Sequence, residues 1–231
     1  TITDRVENEG TDTLNSIENL LFLDRSFELS LFTNVSSLTD VDLAALTELY
    51  VAYFNRAPDS VGLFYWGSRL ADGMSMDQIA RYFFDQDETR ALYGTNLDTG
   101  AFITAVYGNV LGRSPDPEGF AYWQSVLDAG AVDQGSFIIA IIAGAKAVTG
   151  STADAQYLET KAEIGAYYAV VNGLNNVSIA NTVMQAFDGT VSSVSSAKQL
   201  IDDHAASIDT GLDAEFTMSL VGLAENALDW V

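Results

Sequence analysis

The 231-residue chain has no cysteine. Disulfide frameworks, thiolate zinc sites, iron–sulfur clusters and thiol catalysis are excluded together. A single histidine, His204, excludes any site needing two imidazoles and leaves one candidate imidazole base. Basic residues are scarce: ten Lys and Arg stand against 32 Asp and Glu, a net charge of −22. Such a surface repels phosphate backbones and anionic headgroups, so nucleic acid is not an expected partner. Long apolar runs are missing as well. The best, Phe137–Ala145, falls short of the roughly 18 residues of a membrane span and reads as a buried helix, so no membrane insertion is expected. Thr1-Ile2-Thr3-Asp4-Arg5 lacks the basic-then-apolar pattern of a signal peptide and reads as a cut in a longer chain.

What is present is a globular balance, 48% hydrophobic and 18% charged. Three regions are expected: 1–40, 41–208 and 209–231. In the first, Leu20–Leu23 and Phe27–Phe32 are β-prone runs joined by Asp24-Arg25-Ser26, which predicts a hairpin. From Val41 the period becomes helical. Leu43, Leu46, Leu49, Tyr50, Tyr53 and Phe54 form one stripe, with Asp40 placed to cap it. Further helical stretches lead into Asn172–Asn176, run from Ala180 to Phe187, and extend from Ser192 to about Ile208 after an Asp188-Gly189 stop. Glu215–Val221 alternates again and is expected to pair with the N-terminal hairpin.

The most informative feature is a duplication. Tyr50, Arg56, Pro58, Asp59, Gly62, Tyr65, Trp66, Leu70 and Gly73 recur, each 57 positions on, as Tyr107, Arg113, Pro115, Asp116, Gly119, Tyr122, Trp123, Leu127 and Gly130. Each copy reads as helix, tight turn, helix, with the aspartate capping the second helix. The expected fold class is therefore mainly α: stacked helical hairpins with an internal 57-residue duplication, plus a small β element from both termini. One functional reading makes Arg56, Tyr65, Trp66, Arg113, Tyr122 and Trp123 a paired ligand-binding surface suited to sugar rings. The alternative, favoured by the helical spacing, makes the aromatics core staples and the arginines turn-closers. Glycine inside a helix costs about 1 kcal/mol against alanine. Gly62 and Gly119 therefore imply close approach, by a neighbouring helix before a ligand.

His204 follows Asp202-Asp203. Adjacent helical positions diverge by about 100°, so Asp203 is badly placed to orient the ring, and a surface histidine is expected. No nucleophile elbow or phosphate-binding glycine loop is present. Paired carboxylates could support glycoside hydrolysis, but 32 acidic residues select no particular pair. Calcium is the candidate cofactor. Asp209, Asp213 and Glu215 straddle Gly211, as in some calcium loops, against the plainer reading of a solvated acidic loop.

Four segments carry resemblances. Gly10-Thr11-Asp12-Thr13-Leu14 is similar to half of the calcium-binding nonapeptide of RTX proteins, with Asp12 as its carboxylate, and together with the stretch to Asp24 resembles the close of an RTX β-roll. The doubled R-x-P-D-x-x-G-x-x-Y-W motif, at 56–66 and 113–123, resembles a bacterial family of helical domains without assigned function that accompanies RTX repeats in surface-layer and adhesin-like proteins. Residues 161–198 are similar to a segment that follows it. Leu228-Asp229-Trp230-Val231 resembles the C-terminal signal of type I secretion substrates. The intact nonapeptides of the family are missing here. The resemblance implies a non-catalytic C-terminal module of a secreted RTX-type protein, extracellular or at the cell surface, serving anchoring, assembly or polysaccharide binding. Its partners would be cell-surface polysaccharide or its own upstream RTX domain. The alternatives are an extracellular carboxylate-dependent hydrolase and a folding cap for an upstream calcium-binding β-roll.

Overall fold

The two copies of the repeat become two successive sets of four helices. In this computed structural model, which describes residues 2–3, 10–22, 26–94, 98–209 and 215–218, copy 1 comprises α1 (Asp40–Phe54), α2 (Ser60–Ala71), α3 (Met76–Phe84) and α4 (Asp87–Tyr93). Copy 2 comprises α5 (Thr99–Leu111), α6 (Pro117–Asp128), α7 (Gln134–Lys146) and α8 (Thr152–Ala166). α2 and α6 begin and end at positions 57 apart, so the duplication is structural. After α8 come a π-turn at Tyr167–Val171, α9 (Val177–Gln185) and α10 (Val191–Asp209). Among the described residues, no helix is long and apolar enough to cross a membrane.

Side-chain caps place the helix starts. Asp59 accepts from the Gly62 amide and Asp116 from the Gly119 amide, in matching geometry. At α1 the cap is Thr39, in a reciprocal box with Asp42, so the expected cap Asp40 is instead the first helical residue. α1 also buries far more than one stripe: Leu46 and Thr47 through Phe54 are all buried, as befits a central helix. Its one charged residue in that stretch, Glu48, receives Lys146 Nζ at 2.6 and 2.8 Å. α8 crosses α1 at Gly165, where a methyl group would press on Pro58, Thr47 and Val51.

Among the described residues the β element is smaller than expected and is built from the N-terminal segment. β1 (Ile2–Thr3) pairs antiparallel with β2 (Thr11–Asp12), and β3 (Asn19–Leu21) with β4 (Ser26–Glu28). The predicted run Phe27–Phe32 leaves the ladder early. Leu29–Phe32 forms a 3₁₀ turn, which brings Leu31's carbonyl to Arg69 Nη2 (3.3 Å) and packs Phe32 on the core. Residues 215–218 form no strand. They reach the hairpin through Phe216, whose ring stacks on Phe27 at 4.5 Å.

Candidate functional site

Each repeat turn is closed by an arginine. Arg56 donates from Nε and Nη2 to the two Glu88 oxygens (2.6 and 3.1 Å) and from Nη1 to the Ala57 carbonyl (2.9 Å). Arg113 repeats the pattern on Asp154 (2.7 and 2.6 Å) and the Ser114 carbonyl (3.1 Å). Glu88 and Asp154 stand in the first turns of α4 and α8, the fourth helix of each copy. Each guanidinium also lies over the tyrosine of the preceding helix, Tyr50 or Tyr107. Burial works against the Arg56 charge, but the hydrogen bonds and charge of Glu88 more than offset it, and its pKa rises. At Arg113 the hydrogen bonds to Asp154 are themselves the largest influence, and they raise it.

The two tryptophans follow the core reading. Trp66 meets Phe83 edge-on at 5.4 Å and Trp123 meets Phe137 at 5.0 Å, both half-buried at the rim of the core. Tyr65 is half-buried beneath Arg69. Tyr122, at 60% exposure, faces solvent. The six residues therefore do not form one paired surface: Arg56 is enclosed, the tryptophans are staples, and Tyr122 and Arg113 are the members open to solvent. At Gly62 the Tyr50 hydroxyl of the preceding helix occupies the space where a methyl would go, while at Gly119 the Tyr107 hydroxyl stands farther off, 3.2 Å from that point.

α8 ties the two copies together. Asn55 and Gly112, equivalent positions at the ends of α1 and α5, both adopt left-handed backbone. Lys161 Nζ donates to Asn55 Oδ1 and to the Asn109 carbonyl near the end of α5, both at 2.6 Å. Burial pulls this ammonium down to about 7. One turn earlier, the Tyr157 ring fills the space that Gly112 leaves open and packs on Phe187 at 5.0 Å. Beside it opens a groove of about 610 Å³ lined by Arg113, Asp154, Tyr157, Thr160, Glu163 and Phe187, among others. Burial raises the Tyr157 hydroxyl and the Glu163 carboxyl.

Of the four calcium candidates, only the side chains of Asp12 and Glu215 fall among the described residues. Asp12 lies exposed in β2, Asp209 ends α10 with its side chain outside the described residues, and Asp213 lies outside them altogether. Glu215 is already engaged. One oxygen accepts from the Asn175 amide (2.9 Å) and the other meets His204 Nε2 at 2.8 Å. His204 is accordingly a buried residue, 7% exposed, rather than a surface one. Among the described residues, no three His, Asp or Glu side chains converge to hold a metal.

Sequence reasoning missed Glu88 and Asp154 because they stand 66 positions apart, out of the 57-residue register. Lys161 carried a signal: with Leu158, Ala162 and Gly165 it shares the buried face of α8 at helical spacing. Residues 80–149 match a family described as "Domain of unknown function (DUF4214)". That stretch is less than a third of the chain and includes the second copy of the motif. No curated protein and no solved structure matches the chain.

Proposed function

We propose that this chain is a non-catalytic module of a secreted RTX-type protein that binds polysaccharide in anchoring or assembly at the cell surface. The groove beside Arg113 carries this reading. It offers an aromatic wall, Tyr157, and hydrogen-bonding groups at Thr160, Gln156 and the Arg113–Asp154 pair, the combination that sugar rings require. Asp154, Glu159 and Glu163 outnumber the single arginine, so uncharged glycans are favoured over anionic ones. Asp154 gives both oxygens to Arg113, which favours a binding role over a hydrolytic one. The test is titration with neutral and uronate oligosaccharides. Binding should favour the neutral series and weaken about tenfold or more in Tyr157→Ala. Equal binding by a folded Tyr157→Ala variant would remove the groove from the account.

A second reading, a folding cap, is favoured by the way the N-terminal segment grips α2. Val35 and Leu38 press on Gly67, and Asn34 Nδ2 donates to Asp72 at 2.6 Å. Deleting residues 1–35 should then unfold or aggregate the remainder, and an unchanged melting temperature would reject the cap. Calcium is part of the same proposal. Millimolar calcium should raise the melting temperature above that in chelator at matched ionic strength, and no difference would remove a specific ion site.

A further inference from the structure

On the groove side of α8, Gln156, Glu159, Thr160 and Glu163 follow one another at helical spacing and form one stripe. Two of the four are carboxylates at i and i+4, whose Cβ atoms stand about 5–6 Å apart. Like charges so placed work against the helix rather than for it. Glu159 is exposed and Glu163 half-buried. Among the described residues, neither accepts a hydrogen bond or lies within ion-pair distance of a cation. The arginine of the groove is spoken for, since Arg113 gives Nε and Nη2 to Asp154. Burial raises the Glu163 carboxyl; Lys198 pulls against that and Glu159 adds to it. A carboxylate partly withdrawn from water without a counter-charge gains from a cation brought to it.

The groove, about 610 Å³ in volume, therefore has two spare negative charges beside the Tyr157 ring and the Phe187 wall. Its remaining polar groups suit hydroxyls: the Thr160 hydroxyl donates to the Gln156 carbonyl and keeps its oxygen free to accept. We propose that the ligand of this groove is an amino sugar with a free, protonated amine, its ring on Tyr157 and its ammonium between Glu159 and Glu163. This rests on the glycan reading and narrows it to cationic sugars. An N-acetylated analogue enters the same groove but leaves both carboxylates without a counter-charge. A lysine side chain brings the charge without a ring for Tyr157 or hydroxyls for Thr160 and Gln156.

The test is calorimetric titration of the full chain at pH 6 and 0.15 M salt with three probes: a β-linked glucosamine tetrasaccharide, its fully N-acetylated counterpart, and tetralysine. The free-amine sugar should bind about tenfold tighter than the N-acetylated one, the gain expected of two half-exposed ion pairs. Glu159→Gln combined with Glu163→Gln should erase that margin and leave affinity for the N-acetylated sugar as it was. Glu18→Gln combined with Asp77→Asn, which removes two exposed charges outside the groove, should preserve the margin. Equal binding of the two sugars by the wild-type chain, a comparison that needs no variant, overturns this inference and leaves the glycan reading standing. A margin that survives the groove substitutions overturns it too, as does tetralysine binding as tightly as the free-amine sugar, which would assign the attraction to charge alone. Binding of neither sugar overturns both readings.

Discussion

Copy 1 and copy 2 share a turn, an arginine clamp and a glycine-cleared tyrosine, but only copy 1 is roofed. There the segment 173–180 lies over the turn: Ser60 and Val61 amides donate to the Leu174 carbonyl and Asn175 Oδ1, both at 2.9 Å, and the Ala57 amide reaches the Ala180 carbonyl. In copy 2 the same positions are exposed, and the sequence has changed to suit. Pro117 replaces Ser60 and has no amide to satisfy, and Glu118 replaces Val61. The Arg56 side chain is 6% exposed and that of Arg113 is 40%. One clamp serves as architecture in both copies, but only the second leaves a surface free for a ligand.

The largest expected effect follows from that burial. Arg56→Ala empties a buried site in the turn, where the guanidinium lies against Tyr50 and Phe54 and serves the Ala57 carbonyl, and should cost about 3–5 kcal/mol in urea unfolding. Arg113→Ala removes a side chain that is 40% exposed, but leaves Asp154, 8% exposed, without its partner, and should cost less, about 2 kcal/mol. Comparable losses would mean the two clamps are equivalent after all. The glycines sharpen the same contrast. Gly62→Ala collides with the buried Tyr50 hydroxyl and should destabilise by about 1–3 kcal/mol. At Gly119 the contacts are looser, 3.2 Å to Tyr107 and to the exposed Asp116. Helix propensity then wins, and Gly119→Ala should be neutral or stabilising by up to about 1 kcal/mol.

Lys161, which joins the copies, supplies a pH signature. Its folded pKa of about 7 lies below the ordinary value for lysine, which is about 10.4. Between these values the unfolded chain binds more protons, so stability attributable to this group rises with pH from about 7 to about 10, by at most about 1.4 kcal/mol per unit. Lys161→Met should flatten that slope in urea titrations at pH 7, 8 and 9. A slope unchanged by the substitution would assign it elsewhere. The smallest effect is at the C-terminal segment. Glu215→Gln keeps an acceptor but weakens the contact with His204, and should cost about 1 kcal/mol or less.

Much of the helical body was legible because burial in a helix leaves a period, and because an ungapped duplication aligns with itself. The turn chemistry was legible too: Asp59 and Asp116 cap as their positions imply. What escaped is set by contacts distant in sequence. Nothing local marks Glu88 or Asp154 as arginine partners, since the two residues are offset by nine positions from the 57-residue register. His204 was misread because its partner comes from residue 215, across a break in helical pattern, while its neighbours Asp202 and Asp203 are turned to Tyr167 and Gln199. Phe27–Phe32 alternates like a strand, but six residues with both apolar and polar neighbours cannot reveal that the second half is drawn onto α2.

Hydrogen exchange at matched positions tests the central asymmetry most directly. Amides at Ser60 and Val61, roofed by residues 174 and 175, should exchange far more slowly than the amide of Glu118 under identical conditions. Equal exchange at the two helix starts would mean that copy 1 is as open as copy 2, and the assignment of the ligand surface to the second copy would fail.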